Sequence, residues 1–205
     1  MDVFSRLDAF QFDVLREVGN IGSGHAVTAL SQLLQRRVNM RVPQVKLVPF
    51  DEVADAVGGA EAVVAAVFQR VEGDVPGSLY FLMDLVTARQ LLETLLGAVP
   101  SPEGFSDLER SALQEIGNIL SGSYLSSLAD LTGLTFQPSI PALAIDMAGA
   151  LLSVGLHELG RFGDVALVID TVFAEGETVL DSHFILIPEP EAIDRLFRAL
   201  GVPLA

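Results

Sequence analysis

Two long stretches of the chain carry apolar residues at helical spacing. Leu15, Val18, Ile21 and Leu30 recur at this period and predict a helix over about Asp8–Gln35. The same period predicts a second helix over about Asp107–Leu131, opened by Ser106 with Glu109 three residues on. After each helix the pattern changes. "VPQVKLV" and "IPALAI" read as short strands, and "FDEVADAVGG" and "MAGALLSVGLHEL" as connecting helices or turns. Then come β-branched runs broken by Glu-Gly or Gly-Asp, "AVVAAVFQRVEGDVPGSLYFLM" and "VALVIDTVFAEGETVLDSHFILI", which predict two hairpins. Amphipathic helices, "VTARQLLETLLG" and "PEAIDRLFRALG", close both series, each stopping at a glycine, with Pro188 and Pro190 at the mouth of the last.

The two series are copies. Leu15–Pro43 written above Leu113–Pro141, an offset of 98, gives ten identities in 29 positions. The later part aligns at an offset of 104, with Gly97 over Gly201. The chain therefore divides into repeats of about 1–100 and 104–205, joined by "VPSPEGFSD". A period near 100 residues is a tandem duplication and not a solenoid. The expected fold class is α+β: two pseudo-symmetric copies sharing a mainly antiparallel six-stranded sheet, with the two long helices on one face. The 205 residues are read as one domain built from these two repeats.

Composition narrows the function classes. With 12 Lys+Arg against 27 Asp+Glu, the net charge is −15. Such a surface repels phosphate backbones and anionic lipid, so nucleic-acid and membrane partners are not expected. There is no cysteine, which removes thiolate catalysis, disulfides and Cys-type zinc sites. The N-terminus lacks a basic region ahead of an apolar stretch, and a cytoplasmic protein is expected. The most apolar window, Ser139–Leu156, contains Asp146 and Pro141. It reads as a buried strand followed by a buried helix rather than a membrane span.

The candidate chemistry lies inside the long helices. Asp13, Glu17 and Asn20 are spaced i, i+4, i+7 and fall along one helix face. Ser111, Glu115 and Asn118 repeat the spacing, and Pro43 and Pro141 each follow their Asn after 22 intervening residues. A solvated helix face would explain one such line. It does not explain an Asn beside a Gly, both poor mid-helix residues, at equivalent places in both copies. Close helix–helix packing accounts for Gly19 and Gly117, but not for Glu-x-x-Asn.

A phosphate cradle is the first alternative. "GNIGSG" lacks the lysine and the preceding strand such a loop needs, and Gly22 is replaced by Leu120 in the second copy. His25, His157 and His183 are scattered, and His25 becomes Ser123 in the repeat. Ser23 and Ser121 recur without a duplicated base and read as packing residues. A carboxamide, by contrast, offers a donor and an acceptor and can orient a water. Orientation suffices when the substrate is already activated, as in phosphoryl transfer.

The pattern [DS]-x-x-x-E-x-x-N, followed by 22 residues and Pro, resembles the signature of the CheC/CheX/FliY family of chemotaxis phosphatases. The match occurs twice and the resemblance covers essentially the whole chain, most like the CheC branch. It implies hydrolysis of the aspartyl phosphate of the response regulator CheY-P. Asn20 and Asn118 would align the attacking water, and Glu17 and Glu115 would pair with a lysine of the regulator. Asp13 and Ser111 would support the motif. The Mg²⁺ would belong to the regulator, with no cofactor of the chain's own. The resemblance also implies CheD, a receptor deamidase, as a partner. A module that sequesters CheY-P or controls CheD without turnover is the alternative. Internal pseudo-symmetry points to a monomer. Residues after the two motifs differ, Gly22, Gly24 and His25 against Leu120, Gly122 and Ser123, so the two sites are expected to differ in activity.

Overall fold

The computed structural model describes residues 9–40, 44–49, 52–101, 104–159, 165–175 and 178–201. The first copy runs α1 (Ala9–Leu34), β1 (Asn39–Met40), β2 (Gln44–Pro49), α2 (Val53–Ala56), β3 (Val63–Gly73), β4 (Gly77–Asp84) and α3 (Leu85–Leu96). The second runs α4 (Asp107–Thr132), β5 (Phe136–Pro138), β6 (Ala142–Met147), α5 (Ala148–Leu159), β7 (Val165–Glu175), β8 (Thr178–Pro188) and α6 (Pro190–Ala199). The expected long helices, hairpins and closing helices are all present. Pro43 and the Gly176-Glu177 turn lie outside the described residues.

Local chemistry explains the helix ends. Ser106 accepts from the Glu109 amide while Glu109 accepts from the Ser106 amide, a reciprocal capping box. The Ser106 amide and hydroxyl both donate to the Glu109 carboxylate and hold it below its ordinary value. Asp84 caps α3 through the Thr87 amide, and Gly97 ends it in the left-handed conformation. Gly133 does the same for α4 at φ 68°, and at the equivalent place after α1 stands Gln35 at φ 51°.

All strand pairs are antiparallel and form one sheet in the order β1-β7-β8-β4-β3-β5. It has eight strands where six were expected, because the outer position at each end is split. β2 continues β1 along β7, and β6 continues β5 along β3. The short strands β1 and β5 carry too few residues to show a period. The pairing also crosses between copies. The first strands of each copy lie against the hairpin of the other, β2 on β7 and β6 on β3.

Register fixes which residues of the copies correspond. β2 maps onto β6 at the sequence offset of 98, so Leu47 corresponds to Ile145. Leu47 pairs with Leu167 and Ile145 with Ala65, which matches Ala65 to Leu167, an offset of 102. Those residues pair in turn with Met83 and Leu186, an offset of 103. The offset of 104 that aligns Gly97 with Gly201 is therefore wrong by one residue within the strand. The cause is physical. Leu79, Phe81 and Met83 face one core, and so do Phe184 and Leu186. An even offset would turn every side chain to the other face. Under the corrected mapping Phe81 matches Phe184, and these two pair directly across β4 and β8 with ring centroids 4.8 Å apart. The pseudo-twofold axis passes between them.

Two cores flank the sheet. On one face α1, α4, α3 and α6 cover Val67, Ile169, Phe81 and Phe184. On the other, α2 and α5 cover Val64, Ala66, Leu82 and Ile185 through Val53, Ala148 and Leu152. β6, expected as a buried strand, is a half-exposed edge strand, with Asp146 on its exposed side. Among the described residues, no helix is long and apolar enough to cross a membrane.

Candidate active site

Each long helix buries one stripe and leaves the opposite side open. In α4, Leu113, Ile116, Gly117, Leu120 and Tyr124 are buried, while Ser111 and Glu115 are exposed and Asn118 is half-buried at the boundary. In α1, Leu15, Val18 and Ala26 are buried, Asp13 and Glu17 are exposed, and Asn20 is half-buried. The motif thus lies along the waterline of each helix, with its carboxylates outermost. Asp13 turns away to its own helix and pairs with Arg16 at 2.8 Å. The Glu17 and Asn20 side chains have no hydrogen-bond partner among the described residues.

The glycine preceding Asn118 sets the depth of its helix. A Cβ on Gly117 would stand 2.6 Å from the Val67 side chain, so α4 rests directly on β3. This close approach is helix to sheet, not helix to helix as the sequence suggested. The helix–helix approach is made instead by Gly22. A Cβ there would stand 2.5 Å from the Tyr124 ring. Gly22 therefore packs against a neighbour and holds no phosphate. Ser23 and Ser121 are buried, as packing residues.

The Asn118 side chain is held at both ends. Gln69 Nε2 donates to Asn118 Oδ1 at 3.3 Å, and Asn118 Nδ2 donates to Glu115 Oε2 at 3.4 Å. Gln69 Nε2 also donates to the Ser139 carbonyl at 3.0 Å. Ser139 is tied to Arg70 through its own amide and hydroxyl. Pro141 follows, its carbonyl accepting from Gln114 Nε2 at 2.8 Å. It stands between β5 and β6, at the approach to the edge strand beside α4. Gln69 is 1 % exposed and comes from β3 of the first copy. No local spacing could reveal it, because the contact joins residues 49 apart in sequence.

Beside Asn118 a groove of about 520 Å³ runs between α1 and α4, lined by His25, Thr28, Gln32, Gly122 and Ser126 among others. His25, set aside on sequence because the repeat does not keep it, lines this groove. Gly122, one of its lining residues, has nothing within 4 Å of an added Cβ and leaves that part of the groove open. Chemically, the site offers an exposed carboxylate for a cation and, one turn on, an amide with donor and acceptor. Among the described residues no group of three or more His, Asp or Glu could hold a metal ion.

Comparison with known proteins gives concordant matches. The model of the CheC-like family matches residues 10–47 and 108–145. The chain is 44 % identical over 212 aligned residues to the CheY-P phosphatase CheC of Bacillus subtilis (strain 168), covering 100 % of both. In fold it is similar to Thermotoga maritima FliY, with a TM-score of 0.77 at 20 % identity over 95 % of this chain and 98 % of that one. It is also similar to a structure of the CheX–CheY–BeF3–Mg²⁺ complex from Borrelia burgdorferi, with a TM-score of 0.54 at 17 % identity over 82 % and 95 % of the two chains. At these identities the last two likenesses concern the fold.

Proposed function

This chain belongs to the CheC-like family, and on that premise we propose that it is a CheY-P phosphatase acting through Glu17/Asn20 and Glu115/Asn118. It hydrolyses the aspartyl phosphate of a CheY-type response regulator. The observation that carries the site assignment is the repeated pairing of an exposed carboxylate with a half-buried amide one turn later, on the open side of both long helices. In this reading the carboxylate meets a lysine of the regulator. That encounter draws Glu115 off Asn118 Nδ2 and frees the amide to hold a water in line with the phosphorus. Positioning of this kind suffices for a substrate whose phosphoryl group is already activated. Mg²⁺ is supplied by the regulator. Asp13 and Ser111 sit at the head of the motif and touch no reacting group; Pro141 supports its helix through the bond from Gln114 Nε2.

The reading includes CheD as a second partner, a cytoplasmic location, and a monomer whose two copies stand in for the halves of a dimer. The decisive experiment follows CheY-P decay with catalytic amounts of protein. Wild type should accelerate it over many turnovers. Asn20→Ala combined with Asn118→Ala should return decay to the unassisted rate while the unfolding midpoint stays unchanged, since neither side chain is in the core. Unchanged catalysis in the double variant would sink the site assignment. Stoichiometric binding without faster decay in the wild type would leave the sequestering or CheD-controlling module as the function.

A further inference from the structure

We propose that Gln69 is a positioning residue for Asn118, and that the second site is preorganised by a side chain that the first site lacks; this rests on the phosphatase reading above. The Ser139 carbonyl can only accept, so the amide nitrogen of Gln69 must face it. The same nitrogen then faces Asn118, whose nearer atom must be its oxygen. That leaves Asn118 Nδ2 pointing to Glu115. The chain Ser139–Gln69–Asn118–Glu115 thus selects one of the two flip states of the Asn118 amide before any partner arrives. One lone pair of Asn118 Oδ1 remains for a water.

Gln69 is an unusual residue for its place. It stands on the helix-facing side of a central strand, in line with Ala65, Val67 and Val71 of the apolar core. Its Oε1 is buried with no partner. An apolar residue would avoid that cost, so its presence calls for a role, and among the described residues the one side chain it bonds is Asn118. Under the register-based mapping the corresponding residue beneath α1 is Thr171. It is wholly buried, and its hydroxyl has no partner. Its side chain ends at γ, two heavy-atom bonds short of the reach of a glutamine. No described residue hydrogen-bonds the Asn20 side chain.

The test uses the full chain with one site working at a time and follows CheY-P turnover. In an Asn20→Ala background, Gln69→Met keeps side-chain length and packing but removes the amide. The expected result is a fall in kcat on the order of tenfold to a hundredfold, with KM for CheY-P unchanged and an unfolding midpoint no lower than that of the background variant. Gln69→Leu checks the same loss should the methionine variant not fold. In an Asn118→Ala background, Thr171→Gln should raise kcat of the remaining site. Asn118→Ala added to Asn20→Ala is the control for the underlying reading. If it abolishes turnover while Gln69→Met and Gln69→Leu retain full kcat, the positioning role alone is overturned. If turnover survives it, the site assignment falls and the positioning role with it. A proportional rise in KM, or a lowered midpoint that accounts for the lost rate, also overturns the positioning role, since either marks docking or folding instead.

Discussion

The sites on α4 and α1 share one helical recipe and differ in what lies beneath it. Both carry Glu-x-x-Asn along an open face and a glycine one residue before the Asn. Beneath Asn118 stands Gln69, and the register equivalent of Gln69 in the other copy is Thr171. The reason is topological. Each helix rests on the hairpin of the other copy, as Gly117 on Val67 illustrates. Duplication reproduces what is local to a helix and leaves the floor free to diverge. The largest expected effect follows from this. Asn118→Ala should remove the greater share of CheY-P turnover and Asn20→Ala the smaller, measured as initial rates of the single variants. A greater loss from Asn20→Ala would break the comparison at its root.

A second asymmetry lies where the helices meet. Gly22 faces Tyr124, which stacks on Phe184 with centroids 5.5 Å apart. At the symmetry-related places stand Leu120 and Ala26, both wholly buried. One crossing thus uses a large ring against no side chain, the other a leucine and an alanine. Tyr124→Ala should cost about 3–5 kcal/mol in denaturant unfolding, as for other large core aromatics. Gly22→Leu should cost about 1–3 kcal/mol by overpacking. Together they recreate the Leu–Ala crossing, and the double variant should be more stable than the sum of the singles by over ~1 kcal/mol. Additive losses would show that the ring and the glycine do not share one space.

Much of this was legible in the sequence. The Glu-x-x-Asn line, the helices bearing it, the hairpins and the shared antiparallel sheet all follow from periodicity and one repeated offset. The Ser106 cap was readable because a capping box is a four-residue pattern. What escaped was non-local. Gln69 looks like any polar residue in a strand until α4 is laid over it. The exchange of first strands leaves no mark in either copy alone. The hairpin offset failed because glycines at the ends of α3 and α6 align at 104, whereas strand faces obey parity and demand 103. Glycine spacing could not separate contact with a helix from contact with the sheet.

The far face of the sheet gives a third pair to compare. In the first copy Phe68 and Tyr80 pack ring to ring at 5.0 Å. Their counterparts are Asp170 and His183, bonded at 2.8 Å, with Lys46 also on Asp170 at 2.5 Å. Burial pushes the Asp170 carboxyl up, but the bonds from His183 and Lys46 outweigh it and hold the group below its ordinary 3.8. A depressed carboxylate contributes stability above its unfolded pKa and loses it as pH falls through the folded one. At pH 6, Asp170→Asn should therefore cost about 1–2 kcal/mol. The gap to wild type should narrow steadily on acidification below about pH 4, read from denaturant midpoints. A gap independent of pH would show that the cluster acts through packing, like its aromatic counterpart.

The smallest difference is at the helix ends. α4 stops at Gly133 with φ 68°, and the equivalent residue after α1 is Gln35 with φ 51°. Both positions need the left-handed conformation to close the last turn. Glycine takes it freely, while a residue with a Cβ is strained there by about 1 kcal/mol. Gln35 is exposed, and its own amide is bonded only to the Gln32 carbonyl at 3.3 Å, whereas the Gly133 amide reaches the Ala129 carbonyl at 2.8 Å. Gln35→Gly should thus stabilise the chain by up to ~1 kcal/mol, offset in part by the freer unfolded state, with turnover unaltered. The reciprocal Gly133→Gln should destabilise by a similar amount. If both exchanges are neutral, the two ends tolerate the left-handed turn equally, and the copies differ in their floors and crossing but not in how their long helices end.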